Sequence, residues 1–264
     1  MTHTQPDPIL ALSEVAARRP LLVVTDFDGT LSAIVADPGE AALIAGGQDM
    51  LLRLVDIPGV HVTVMSGRGY DDLAERVGRH DGVFLVGSHG AEYGTAAASL
   101  GGRRDDLVDE LRELLTPYDD AFLEIKPVSA SVHTRRMADR IAAARLREAT
   151  VAGPGAVPGR TVKVGKEVVE IAVVEANKGV ALSRRAGEVG AASIVYLGDD
   201  VTDEDAFAVL GPADVGIKVG DGPTRAGYRV ADSAAVLTAL DHLANALVSD
   251  DEGLRMAHWI DIPR

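Results

Sequence analysis

Short apolar runs rich in β-branched residues punctuate the first ninety positions and return near residue 193. They lie at residues 20–25 (Pro-Leu-Leu-Val-Val-Thr), 60–65 (Val-His-Val-Thr-Val-Met), 83–86 (Val-Phe-Leu-Val) and 193–197 (Ser-Ile-Val-Tyr-Leu). Runs this short and this continuous fit strands buried on both faces of a parallel sheet. Each is followed by Gly, Ser or Asp and then by helix-like spacing, and residues 46–54 fit a short crossover helix. Strands alternating with helices predict a βαβ sheet with right-handed crossovers.

Between about residues 105 and 174 the rhythm changes. Residues 106–116 read as a helix, with Leu107, Leu111, Leu114 and Leu115 on its apolar side. Strand-like stretches at 122–127 and 130–135, a helix at 137–150 and strands at 161–164 and 168–174 follow. This αββαββ order predicts a small α+β domain with an antiparallel sheet, occupying 106–175 and inserted into an α/β core formed by 1–105 and 176–264. Gly101-Gly102 and residues 153–159 read as turns, the latter a loop inside the insert. After Asn177 the βα rhythm resumes to about residue 248, and the polar residues 249–264 are expected to be loosely ordered. There is no repeat of fixed period.

Composition narrows the function classes. A chain of 264 residues is one large or two small domains, and 47% hydrophobic with 25% charged residues is ordinary for a folded protein. There is no cysteine, which excludes a disulfide scaffold, a thiolate zinc site and a cysteine nucleophile, and fits a reducing compartment. Lys plus Arg is 26 against 40 Asp plus Glu, a net charge of -14. Such a surface repels nucleic acid and anionic membrane, so neither is expected as a partner, and an anionic substrate needs a local cation. The first twenty residues lack the basic start and apolar stretch of a secretory leader, and no apolar run is long enough to span a bilayer. A cytoplasmic monomer is the expectation.

Four segments carry candidate chemistry. Asp26-Phe27-Asp28-Gly29-Thr30-Leu31 directly follows the first strand. Its two carboxylates, two residues apart, point the same way from an extended end, and Gly29 permits the turn out of the sheet. Ligands of open α/β sheets bind beyond the carboxyl ends of the strands; the plainer alternative is a cap and a turn. Gly198-Asp199-Asp200-Val201-Thr202-Asp203-Glu204-Asp205 places five acids in seven positions after another strand. Hard oxygen donors at such spacing suit Mg²⁺; the alternative is an acidic helix N-terminus. Ser66-Gly67-Arg68 offers a hydroxyl and backbone N–H groups where a helix starts, a place for anions. Lys178, in Asn177-Lys178-Gly179, is a point charge able to meet a phosphate and a carboxylate together. Alone, the Ser66 segment reads equally well as a cap, and Lys178 reads better as a surface lysine.

Taken in this order, the four segments resemble the haloacid dehalogenase superfamily of phosphatases, whose motifs are Asp-X-Asp, Ser or Thr, Lys, and Gly-Asp with a further Asp. The resemblance covers about residues 21–243 and implies a Rossmann-like core with a parallel sheet and a C2-type cap between the second and third motifs. The strings from Gly87 to Glu92 (Gly-Ser-His-Gly-Ala-Glu), Val132 to Arg135 (Val-His-Thr-Arg) and Tyr196 to Phe207 are similar to those of the trehalose-6-phosphate phosphatase family. Two positions depart from that pattern: Thr134, where an aromatic is usual, and Ala172-Val173, where Arg-Pro is frequent.

The resemblance implies Mg²⁺-dependent hydrolysis of a sugar phosphate through an aspartyl-phosphate. It casts Asp26 as nucleophile, Asp28 as acid and then base, and Lys178 as a charge partner. Mg²⁺ is then held by Asp26, the carbonyl of Asp28 and Asp199, with Asp203 behind them; whether Asp200 or Asp203 lies closer stays open. Ser66 and the N–H after it would hold the transferring phosphoryl oxygens, and Gly67, Arg68, His89 and Asn177 are further substrate-binding candidates. On the insert, Glu124, Lys126 and Glu170 are the sugar readers, with a charged solvent face as the alternative, and Arg135 is a further substrate-binding candidate. Sucrose phosphate and mannosylglycerate phosphate are competing substrates, and a catalytically inert sugar-phosphate sensor is a reading from another class.

Overall fold

The computed structural model describes residues 6–94 and 98–260. The chain divides into two compact units, one running up to Gly90 and resuming at Asn177, the other Ala91–Ala176.

The first unit is built on parallel strands. In chain order its elements are α1 (Ile9–Ala16), β1 (Leu21–Thr25), α2 (Gly47–Val55), β2 (Val60–Met65), α3 (Tyr70–Val77) and β3 (Val83–Gly87). The two-residue β4 (Glu92–Tyr93) stands where the chain enters the second unit. The second unit contributes α4 (Ala98–Leu115), β5 (Phe122–Ile125), β6 (Ser129–His133), α5 (Arg140–Ala152), β7 (Thr161–Val164) and β8 (Val168–Ala172). The first unit then resumes with α6 (Lys178–Val189), β9 (Ser193–Gly198), α7 (Glu204–Phe207), β10 (Val215–Val219), β11 (Tyr228–Val230) and α8 (Ser233–Ile260).

The larger sheet has the order β11-β10-β9-β1-β2-β3-β4. Strand β1 lies inside it and all five of its residues are buried, which is why that run shows no polar alternation. The parallel register pairs Thr25 with Val64 on one side and with Leu197 on the other. Three strands therefore end level, and the residues after them, Asp26, Ser66 and Gly198-Asp199, emerge at one edge. Phe27 and Leu31 turn back into the apolar core with Leu51, Leu54 and Leu243, which anchors the exit from β1.

The second unit is α+β. Its strands run in the order β5-β6-β8-β7, all antiparallel, and α4 and α5 pack on one face. Leu107, Leu111, Ala130, Val132, Leu146, Val169 and Ile171 form its core. Asp139 caps α5 by accepting from the backbone N–H groups of Ile141 and Ala142.

Four expectations are revised. The unit boundaries fall at 90/91 and 176/177, not at 105/106 and 175/176. Gly101-Gly102 is helix, not turn: α4 begins at Ala98, nine residues before Leu107, the first of the periodic leucines. Glycine in a helix costs only about 1 kcal/mol, which the packing of Leu107 and Leu111 outweighs. The segment from residue 249 is helical, as α8 continues to Ile260; Arg19, just before β1, donates to the Leu247 carbonyl and pairs with Asp250. Residues 261–264 lie outside the described residues. The expected strand at 130–135 stops at His133, and Arg135 lies in the exposed turn after it. Among the described residues, no helix is long and apolar enough to cross a membrane.

A Cβ added at Gly102 meets nothing within 4 Å. Gly102→Ala is therefore expected to raise stability by about 0.5–1 kcal/mol in denaturant unfolding. A loss of stability would contradict the helical assignment.

Candidate active site

Asp26 ends the buried run of β1 and is itself only 4% exposed. Its backbone N–H donates to the Leu197 carbonyl at 2.8 Å, so the first motif lies beside the Gly198-Asp199 exit of β9. Lys178 opens α6, whose start is fixed by Asn177: the Asn177 side chain accepts the Val180 N–H at 2.9 Å. The Lys178 ammonium is buried, 3.2 Å from Asp26 Oδ1, and donates to Asp203 Oδ1 at 2.7 Å. The Tyr196 hydroxyl donates to the same oxygen at 2.7 Å, and the Asp200 N–H donates to Asp203 Oδ2 at 2.9 Å. Both Asp203 oxygens are thus held by protein donors. Its place is behind Lys178, orienting the ammonium toward Asp26.

The electrostatics follow from burial. Desolvation pushes the Asp26 carboxyl well up; Lys178 pulls it back, while Asp203 and Asp199 push it further. Asp199 is pushed up to about 6, by burial first and by Asp203 next, against the pull of Lys218. Lys178 is raised: burial works against its charge, but Asp26 and Asp203 together outweigh it. Tyr196 rises well above its usual range, by burial and then by Asp203, and so stays a donor.

Asp26, Asp199 and Asp203 bring carboxylate oxygens within 4.8 Å of one another. A cation fits here. The donors are hard oxygens, and Asp199 Oδ1 is buried without a hydrogen-bond partner in the protein. Gly29 makes the approach possible: with φ of 73°, it would place an added Cβ 2.0 Å from Asp199 Oδ2.

A cavity of about 510 Å³ opens over these groups, with Asp26, Lys178 and Asp199 on one side and Gly67, Arg68 and His89 on another. Ser66 is fully buried beneath it, and its Oγ accepts the Arg68 N–H at 3.1 Å. Ser88 and His89 adopt left-handed backbone at φ 48° and 55°, an uncommon state for non-glycine residues that gathers at functional sites. His89 N–H donates to the Ser66 carbonyl at 2.9 Å, and a Cβ on Gly67 would fall 2.4 Å from the His89 ring. The second motif and the Gly-Ser-His-Gly string therefore interlock. Arg68 Nε and Nη2 donate to the two Asp28 oxygens at 2.7 Å each, and Nη1 donates to Asp72 at 2.8 Å. The guanidinium grips the second carboxylate of the first motif instead of standing free in the cavity.

In the second unit, β5, β6 and β8 align Glu124 with Ser131 and Glu170 across the sheet. Lys126 lies just past β5 and continues the ladder through its N–H to the Ser129 carbonyl. Its Nζ is 3.2 Å from Glu170 Oε1, which also accepts Ser129 Oγ at 2.7 Å. Burial pushes Glu170 up, but Ser129 and Lys126 together hold it below its usual range. Glu124 pairs with His133 Nε2 at 2.8 Å. The three expected sugar readers thus share one sheet face.

Residue by residue, the structure gathers Asp26, Asp28, Gly67, Arg68, His89, Lys178, Asp199 and Asp203, and places Ser66 under the cavity floor. It uses the Asn177 side chain as a helix cap. The sequence reading omitted Tyr196 as a partner of Asp203, and Lys218, whose ammonium reaches the Asp199 carbonyl. Lys218 did leave a signal, a lone cation within Val215-Gly216-Ile217-Lys218-Val219. The Arg68–Asp28 grip left none, since it depends on how α3 follows β2.

Comparison with known proteins agrees with this arrangement. The chain is 36% identical to a trehalose-phosphate phosphatase of Mycobacterium tuberculosis over 92% of its own length, and spans 66% of that relative. It is 33% identical to an uncharacterized glycosyl hydrolase of the same organism, covering 98% of this chain but 21% of that protein. Among solved structures, a trehalose-6-phosphate phosphatase of Aspergillus fumigatus matches with a TM-score of 0.73 at 26% identity, over 92% of this chain and 99% of that one. The family model described as trehalose-phosphatase matches residues 24–234, a span that takes in every motif residue of both units; the chain belongs to the trehalose-phosphatase family.

Proposed function

We propose that this protein hydrolyses the phosphate monoester of trehalose 6-phosphate, with Mg²⁺, through an aspartyl-phosphate on Asp26. The observation that carries the reading is the buried Lys178 ammonium set between Asp26 and Asp203. A carboxylate nucleophile approaching a phosphate dianion is repelled, and a cation fixed at 3.2 Å offsets that repulsion without solvent screening.

Asp26 attacks phosphorus, and the bond to the sugar oxygen breaks. Asp28 gives that oxygen a proton and later takes one from the water that cleaves the acyl-phosphate. Arg68 holds Asp28 as the carboxylate through both oxygens, so Asp28 must exchange that grip for the sugar oxygen before it carries a proton. Ser66 and the N–H groups after it are suited to hold the transferring oxygens. When bound by Asp26, the Asp28 carbonyl and Asp199, Mg²⁺ supplies positive charge for the phosphoryl oxygens. The acidic surface makes such local charge necessary, since the molecule as a whole carries -14.

The sugar is assigned to the second unit. Glu124, Lys126 and Glu170 form a polar face held by His133 and Ser129 and suited to hydroxyl groups. Arg135, exposed after β6, is assigned to the same role.

Phosphate release from trehalose 6-phosphate is the direct test, run beside sucrose phosphate and mannosylglycerate phosphate. Preference for either of the latter would overturn the substrate assignment. EDTA is expected to stop release and added Mg²⁺ to restore it, and Asp199→Ala is expected to raise the Mg²⁺ requirement or eliminate activity. Normal turnover after chelation would contradict the metal assignment.

A hydrogen bond from a charged group to a sugar hydroxyl contributes roughly 1.5–3 kcal/mol. Glu124→Ala, Lys126→Ala and Glu170→Ala are therefore each expected to lower kcat/KM for trehalose 6-phosphate by about 10- to 150-fold, with p-nitrophenyl phosphate barely affected. Equal losses on both substrates would point to a stability or chemistry defect instead.

A further inference from the structure

Lys218 lies in β10, a strand buried at all five positions, and is itself only 5% exposed. Its neighbours in register are Gly198 on β9 and Arg229 on β11. An ammonium in such a place is costly unless it is hydrogen-bonded and its charge is met. Its Nζ donates to the backbone carbonyl of Asp199. Because the bond is made to the peptide oxygen, the Asp199 carboxylate takes no part in it, and Asp199 Oδ1 remains buried without a partner.

Nothing in the four-motif chemistry assigns Lys218 a role. It reaches the Gly198-Asp199 turn from β10, across β9 from β1, which Asp26 follows. The turn is pinned from several directions. Gly29 leaves room for the carboxylate, β9 fixes Gly198, the Asp200 N–H is held by Asp203, and Lys218 holds the carbonyl between them.

We propose that Lys218 is a positioning residue for the cation site: it fixes the Asp199 peptide so that the carboxylate stays aimed at the bound metal. This rests on the Mg²⁺ site proposed above. The two roles open to such a lysine act in opposite directions on metal affinity. As a nearby positive charge, Lys218 repels Mg²⁺, and its removal should tighten binding. As an anchor, it preorganises a ligand, and its removal should weaken binding, as loss of groups that orient metal ligands generally does.

The test is calorimetric titration of Mg²⁺ into the EDTA-treated protein, read without any turnover. Lys218→Met, which keeps the length and loses the donor, is expected to raise the Mg²⁺ dissociation constant by roughly 10- to 100-fold. Lys218→Arg, which keeps both charge and donor, is expected to stay near wild type. An unchanged or lower dissociation constant in Lys218→Met overturns the inference. If Lys218→Met does not fold, Lys218→Arg decides: wild-type affinity supports the anchor, and a loss of about tenfold or more overturns it. Wild-type protein that binds no Mg²⁺ overturns the cation site and this inference together, whereas wild-type binding with an unaffected Lys218→Met overturns this inference alone.

Discussion

The buried Lys178 ammonium between Asp26 and Asp203 is the constraint on which the rest of the site depends. Two carboxylates and a lysine removed from water are costly unless each is satisfied by the others and by further hydrogen bonds. Here Asp203 accepts from Lys178, Tyr196 and the Asp200 N–H, and Asp26 accepts the Phe27 N–H at 2.7 Å. Removing one partner from such a set typically costs about 3–5 kcal/mol, because the others are left charged and dry. The same arrangement keeps Asp26 and its counter-charge at a fixed distance.

Charge counting shows why the site is suited to a divalent ion and a phosphate. Asp26, Asp199 and Asp203, when ionised, face Lys178 and Lys218, which leaves one net negative charge. A divalent cation turns that into one net positive charge, which a phosphate dianion can meet. Burial and the mutual repulsion of the carboxylates push the Asp26 and Asp199 carboxyls up. The sheet makes the convergence possible: β1, β2 and β9 end in register, so residues 26, 66 and 199 arrive together although they are far apart in sequence.

Much of this was legible beforehand, for identifiable reasons. Strands buried on both faces carry a continuous apolar signal, so β1, β2, β3 and β9 could be located within a residue or two. The Asp26 and Asp199 motifs follow those strands directly, and the parallel topology brings them together. What escaped depends on tertiary contact. Gly101-Gly102 looks like a turn until the leucines further along α4 are seen to pack. Asn177 and Arg68 looked available to the substrate, yet one caps α6 and the other grips Asp28. Lys218 is polar within an apolar strand, and only the fold reveals that its amine reaches Asp199.

The central claim is that Asp26 becomes covalently phosphorylated while Lys178 and Asp203 hold the charge. The most direct measurement is rapid quenching of the enzyme with phosphate-labelled trehalose 6-phosphate, followed by peptide mass spectrometry, with Asp26→Asn in parallel. The account requires an acid-stable, base-labile phosphoryl group on the peptide containing Asp26, and a folded Asp26→Asn protein with neither label nor turnover. Label on another residue, or substantial steady-state turnover by Asp26→Asn, would contradict it.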